Sequence, residues 1–205
     1  MADRWDILEA NTGAFERLVS STCCPPPAEM LLAVAAQFRP IDAAGVSFRL
    51  DEHARGLFDA AAARDGGAAS HRLATLLTDE LRFRTDESSI EGLWLDAVLE
   101  RRAGHPLALA VLAAEIGRRA GLAIGVCSTP TGWYAAIGER ERLWLIDPPI
   151  DPGPTPSGPV RRHCGHELAF AALTGVYARM SRDGEGAGAC RAALLRGRLP
   201  VGRHD

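Results

Sequence analysis

The chain has no lysine: all 23 of its basic side chains are arginine. Schiff-base chemistry and lysine nucleophiles are therefore excluded, since no side chain carries an ε-amine. A GC-rich coding sequence explains arginine in place of lysine without invoking function. Gln37 is the only glutamine and Asn11 the only asparagine. The chain is thus a poor substrate for its own isopeptide cross-linking, and a Cys-His-Asn arrangement would have to recruit Asn11. Long apolar runs are missing too. The longest, Pro106 to Ala114, stops at Glu115, far short of the ~20 residues a membrane helix needs. No membrane partner is expected.

Positive charge is not in surplus. Against the 23 arginines stand 26 acidic side chains, leaving a net charge of -3. Nucleic-acid binding needs a concentrated basic surface, which this balance does not suggest. The arginine-rich end from Arg196 is too short, and too diluted by Gly197, Pro200 and Gly202, to serve as an arm for it. Cys23, Cys24, Cys127, Cys164 and Cys190 form an odd set of five. Met1 to Ala10 carries Asp3, Arg4, Asp6 and Glu9 in place of an apolar signal core, so a reducing cytoplasm is the expected compartment. No motif asks for a cofactor, and nothing specifies an oligomeric state.

What is present is ordinary globular material. The 205 residues, 47% apolar and 24% charged, suffice for one compact domain with a real core. Helical spacing runs from Met30 to Phe38, behind Pro25-Pro26-Pro27, and from Phe48 to Ala63. Ser70 to Phe83 and Ser88 to Arg102 read as two more helices, with Asp86, Glu87, Ser88 and Ser89 offering caps and first-turn acids to the second. Everything before Gly104 therefore reads as helical. After Gly104-His105-Pro106 comes a helix apolar on almost every face, Leu107 to Ile116, ended by Gly121. Such a helix must be central.

The period then changes. Leu122 to Cys127, Trp133 to Ile137 and Leu143 to Ile146 read as three strands of a small antiparallel meander. Pro148 to Pro159, with six prolines and two glycines, reads as a loop. Helical spacing returns from Glu167 to Met180, and a glycine-rich break from Asp183 to Gly188 precedes a last short helix. The expected class is α+β, in three stretches: a helical part over 1–103, a helix-plus-meander core over 104–152, and a loop with C-terminal helices over 153–205.

Leu95-Asp96-Ala97-Val98-Leu99-Glu100-Arg101-Arg102-Ala103-Gly104-His105-Pro106-Leu107-Ala108-Leu109 resembles the signature of a bacterial transglutaminase-like family, the SirB type. Members read as leucine, acid or amide, x, valine, leucine, glutamate, two or three arginines, glycine, x, proline, aliphatic, serine, leucine; Ala108 stands where the serine would be. Leu50-Asp51-Glu52-His53-Ala54, Arg118-Arg119-Ala120-Gly121-Leu122 and Leu145-Ile146-Asp147-Pro148 extend the resemblance to roughly residues 28–152. It implies the papain-like transglutaminase fold.

Active enzymes of that fold place a Cys at the start of the core helix, where the dipole favours thiolate. A His on the second strand takes its proton and an Asp on the third orients the His. Here Pro106 occupies the matching helix position, and no imidazole follows Gly132 on the second strand. Only Asp147 matches. An orienting carboxylate alone activates nothing, so the family's thiol route is expected to be lost.

Candidate residues each carry a plainer reading beside the functional one. His105, at the positive end of the core helix, is favoured as a neutral imidazole and is a candidate acid-base group with Asp147; otherwise it is a loop residue that solvates the helix start. Trp133 and Tyr134 are candidates for a ligand pocket, only one of them able to face the core helix, while core packing is the commoner fate of strand aromatics. Trp144 on the next strand adds a further aromatic around the cleft. Cys127 is a candidate ligand contact or substitute nucleophile if it faces the same groove, and otherwise a packed, inert thiol. His163-Cys164-Gly165-His166-Glu167 holds metal-ligand residue types, but too closely spaced to close a tetrahedron, and a helix start explains them without a metal.

Three readings follow. One is a binding, regulatory or accessory module that takes a small-molecule or protein ligand in the remnant cleft. Another is a biosynthetic enzyme performing cyclisation, hydrolysis or amide formation with His105 and Asp147. The third is acyl transfer through Cys127.

Overall fold

The computed structural model describes residues 13–63, 65–139, 142–146 and 158–200. Its helices begin with α1 (residues 13–19), α2 (Pro27–Ala35), α3 (Ala43–Arg55), α4 (Phe58–Ala62) and α5 (Gly66–Thr75). Pro27 opens α2 at a position where a missing N–H costs nothing. Asp42 caps α3 by accepting from the Gly45 N–H at 2.9 Å, and Asp65 caps α5 by accepting from Gly67 and Ala68.

The long periodic run from Phe48 to Ala63 is divided at Gly56 between α3 and α4. The next expected helix, Ser70 to Phe83, starts earlier, at Gly66, and ends in a π-helical turn, Leu76–Glu80. Over Ser88 to Arg102 a 3-10 turn, Ile90–Leu93, precedes the shorter α6 (Leu95–Arg101). Of the expected capping residues Asp86 is the one that bonds the backbone here, its carboxylate accepting from the Ser88 N–H at 2.9 Å and from Arg101 at 2.8 Å, while the Ser89 side chain makes no cap bond.

The stretch before Gly104 is not wholly helical. β1 (Arg84–Thr85) pairs in parallel with β2 (Ala103–Gly104). Arg102, at φ 53°, turns the chain out of α6 in the left-handed region, a conformation costly for a residue with a Cβ. Gly104 is needed here, because a Cβ would lie 2.6 Å from Val98 Cγ2. Pairing so short offers no periodicity for a sequence reading to catch.

α7 (Pro106–Arg119) follows, with Leu107 to Gly117 buried without a break. α2, α3, α6 and the sheet strands β3 and β4 all pack on it. One buried charge ties it to α3. Glu115, 4% exposed, takes hydrogen bonds from Arg118 and Arg119 at 2.7 Å, and Arg119 reaches on to the Ser47 carbonyl and Asp51.

The sheet is antiparallel with order β5-β4-β3-β6, from β3 (Ile124–Thr129), β4 (Gly132–Glu139), β5 (Arg142–Ile146) and β6 (Arg161–His163). The meander predicted from the sequence is β3 to β5; β6 is an additional strand on its edge. Ile124, Val126, Ala135, Ile137 and Ile146 pack in the α7 core, whereas Cys127, Ala136 and Leu145 form a small cluster on the other face.

A second core joins distant parts of the chain. Phe15, Met30, Trp94, Leu173 and Ala192 meet in it, bringing α1 and α2 against α8 (Gly165–Arg182) and α9 (Gly186–Gly197). α9 begins inside the expected glycine-rich break. The architecture is α+β, as the change of hydrophobic period predicts.

Gly165 fixes how α8 docks. A Cβ there would lie 2.3 Å from the Pro25 carbonyl oxygen, a backbone atom. Gly165→Ala is expected to destabilise the fold by about 1–3 kcal/mol through this overpacking, measured as a lower midpoint in urea unfolding; an unchanged midpoint would show that the Pro25 segment yields without cost.

Candidate functional site

The start of α7 is held from behind. The His105 N–H donates to the Gly92 carbonyl at 2.9 Å, and the Asp86 N–H donates to Gly104 at 2.8 Å. His105 itself is the N-cap, its Nδ1 accepting from the Leu107 N–H at 3.1 Å. Burial lowers its pKa below the ordinary histidine value; Glu87 opposes the shift and Arg179 reinforces it. In the neutral ring with Nδ1 accepting, the proton sits on Nε2. His105 as seated is therefore a hydrogen-bond donor, and the lone pair a general base needs is engaged by the helix. Asp147 lies outside the described residues.

Strand alternation divides the other candidates. Trp133 packs with the α7 core, while Tyr134 joins Cys127 on the opposite face. The Tyr134 hydroxyl lies 3.0 Å from Thr131 Oγ1. Cys127 is fully buried, and burial pushes its thiol up to about 11. Trp144 stands over Gly66 and Gly67 of α5. Of the residues singled out on the strands, Trp133 is the one facing α7 beside the fourth strand.

There the structure places an arrangement that sequence reasoning missed. β6 pairs with β3 in the register Val126↔His163, which puts the His163 ring on the α7 side of the sheet. Its Nε2 lies 2.7 Å from Ser128 Oγ, and its Nδ1 lies 3.6 Å from Glu167 Oε2. Ser128 is the register partner of Trp133, whose ring packs on His163 with centroids 4.9 Å apart. Burial lowers the His163 pKa, with Glu167 opposing and Arg161 reinforcing.

Glu167 is fixed independently. It stands in the first turn of α8, accepts from the Cys164 N–H at 3.1 Å as part of a capping box, and pairs with Arg161. The only signal for this set was His163 ahead of a helix start, which metal spacing does not fit. The neighbours of the cluster diverge: His163 turns to Ser128, Cys164 caps α8, and the buried His166 bonds the Leu18 carbonyl through Nε2 at 2.9 Å. Among the described residues no group of three or more His, Cys, Asp or Glu is placed to hold a metal ion, and no helix is long and apolar enough to cross a membrane.

A cavity of ≈ 300 Å³ opens beside His163, walled by Val111 and Ala114 of α7, Ile124 and Val126 of β3, and Pro25 and Pro26. Arg118, Glu115, Cys24 and Cys164 also line it, so the space is largely apolar with one ion pair and two cysteines on its wall.

Helix, meander and cleft together define a class, and comparison with known families agrees. Residues 42–153, over half of the chain, match the model of the Transglutaminase-like superfamily, and the chain belongs to that superfamily. No curated protein and no solved structure matches it.

Two outcomes are expected of the site residues. His105→Ala removes the α7 cap and should cost about 1 kcal/mol, whereas His105→Asn keeps a capping acceptor and should cost a few tenths. Because the folded pKa of His105 lies below the unfolded one, its contribution is complete above the ordinary value of about 6.5 and is lost as pH falls through that value and the folded pKa. His105→Asn should therefore flatten the fall of melting temperature on acidification; an unaltered slope would remove His105 from the acid response. Separately, iodoacetamide at pH 8 should modify the exposed Cys23 and Cys190 and spare Cys127 until the protein is denatured, as read by peptide mass mapping. Native alkylation of Cys127 would show that its face opens.

Proposed function

We propose that the protein is a SirB-type member of its superfamily acting as a binding or accessory module, without thiol chemistry, through the cleft between the start of α7 and the sheet. The ligand is a small molecule or a protein segment laid against Trp133. One observation carries the reading: on the resemblance, Pro106 stands where an active enzyme would carry its Cys, and the residue after Gly132 on the second strand, which packs against the α7 core, is Trp133 in place of a histidine.

A thiolate and an adjacent base are what acyl transfer by that route requires. What the chain offers instead is the indole of Trp133 on the α7 side of the sheet and the Nε2–H of His105 at the helix start. These are the ingredients of recognition: apolar area for affinity and a few polar groups for orientation. Cys127, on the far face of the sheet with its thiol pushed up to about 11, gives no support to a thiol alternative.

Two measurements test the reading. Protein recovered from cell extract and examined by native mass spectrometry should retain a bound mass, and Trp133→Ala should weaken retention roughly tenfold, the equivalent of 1.4 kcal/mol. Prior alkylation should not change it. Incorporation of a fluorescent amine into casein, abolished by alkylation, would overturn the proposal.

A further inference from the structure

We propose that Ser128, His163 and Glu167 form a hydroxyl-based acyl-transfer site that hydrolyses esters of small apolar acyl groups. This goes beyond the binding reading and does not rest on it. The geometry supplies each part. Ser128 Oγ and His163 Nε2 are 2.7 Å apart, the separation of a nucleophile and its base. Nδ1 faces the Glu167 carboxylate at 3.6 Å, too long for a hydrogen bond yet close enough to favour the tautomer with its proton on Nδ1. That tautomer leaves the Nε2 lone pair to accept from the serine hydroxyl. Relays of this kind are often loose without substrate.

Three features argue that the arrangement is built for proton transfer. Glu167 is anchored by the Cys164 N–H and by Arg161, so it cannot turn away from His163. Trp133 packs on the imidazole and restricts its rotation. Burial favours the neutral ring, the form in which it can act as a base. The acyl group has a place as well: His163 lines the ≈ 300 Å³ cavity, and Ser128 lies two residues along the same face of β3 from Val126, which also lines it. Apolar walls of that size suit a short acyl chain.

In the first half-reaction Ser128 Oγ bonds to the ester carbonyl carbon and its proton passes to His163 Nε2. The carbon–oxygen bond to the alcohol breaks, and the alcohol leaves with that proton. In the second, water gives a proton to Nε2 and its oxygen bonds to the acyl carbon. The bond to Ser128 breaks, the serine recovers the proton, and the carboxylic acid departs. Ser128 and His163 are the catalytic residues; Glu167 is a positioning residue.

The test is labelling of the full chain with a fluorophosphonate, which phosphonylates activated serines, and hydrolysis of p-nitrophenyl butyrate. A single adduct is expected on Ser128, and none in Ser128→Ala. His163→Gln should label at least about a hundredfold more slowly. Glu167→Gln should lower the maximal labelling rate about tenfold while leaving the probe concentration for half-maximal rate unchanged, a split that a merely structural role would not produce. Failure to label Ser128 in the folded wild type, or equal rates in His163→Gln, overturns the proposal. Should His163→Gln not fold, Ser128→Cys decides: at pH 7 its new thiol should react with iodoacetamide at least tenfold faster than exposed Cys190 in the same protein, and an equal or slower rate also overturns it.

Discussion

Residues Leu107 to Gly117 of α7 have no solvent-facing side, so the helix forms stably only where neighbours cover it all round. Burying each of its large apolar side chains is worth about 2 kcal/mol, and that return is lost wherever a face is left open. The covering is supplied from separate parts of the chain: α2 and α3 from the helical half, β3 and β4 from the sheet, and α6 from the segment just before it. Glu115 shows how tightly this is specified. A carboxylate 4% exposed is tolerated because two arginines neutralise it, and one of these is held by Ser47 and Asp51 of α3. Leaving such a charge unpaired would be far costlier than omitting it, so the network also sets where α3 can lie along α7.

The sequence is most legible where this constraint is strongest. A helix greasy on every face, Pro at its first position, and a change from helical to alternating period predict α7 and β3 to β5 almost as they are found. What the pattern cannot carry are elements held by a few backbone bonds. β1 and β2 have two residues each, and β6 is Arg161-Arg162-His163, three polar residues whose strand character comes wholly from pairing with β3. Helix limits differ from the apolar pattern for a related reason. Asp42 and Asp65 set local geometry through their carboxylates, and apolar spacing does not register them.

The same limit governs what could be foreseen of the site. Pro106, His105 and Trp133 can be picked out in the sequence by their places at the start of the apolar helix and just after Gly132 on the second strand, and strand alternation alone puts Trp133 and Tyr134 on opposite faces. Ser128 and His163 are different. They are 35 residues apart, and no motif links them; their contact exists because a short strand adds to the sheet edge in one register out of several. A shift of one residue would turn His163 to the face that holds Cys127 and Tyr134. The chemistry of the site thus depends on a register that the apolar pattern of β6 does not specify.

What fixes that register is found at the end of β6. His163 is followed directly by the α8 N-cap, Cys164. Gly165 lies against the Pro25 carbonyl, where no side chain fits, and buried His166 bonds the Leu18 carbonyl, so α8 has one seat. From that seat Glu167 reaches back to the Cys164 N–H and out to Arg161, setting carboxylate and imidazole relative to the strand before any substrate is considered. α8 is itself held by the second core through Leu173 and Val176. The packing that closes the C-terminal helices onto α2 is therefore the same packing that presents an imidazole to Ser128, and an imidazole stands beside Trp133 although none stands at position 133 itself.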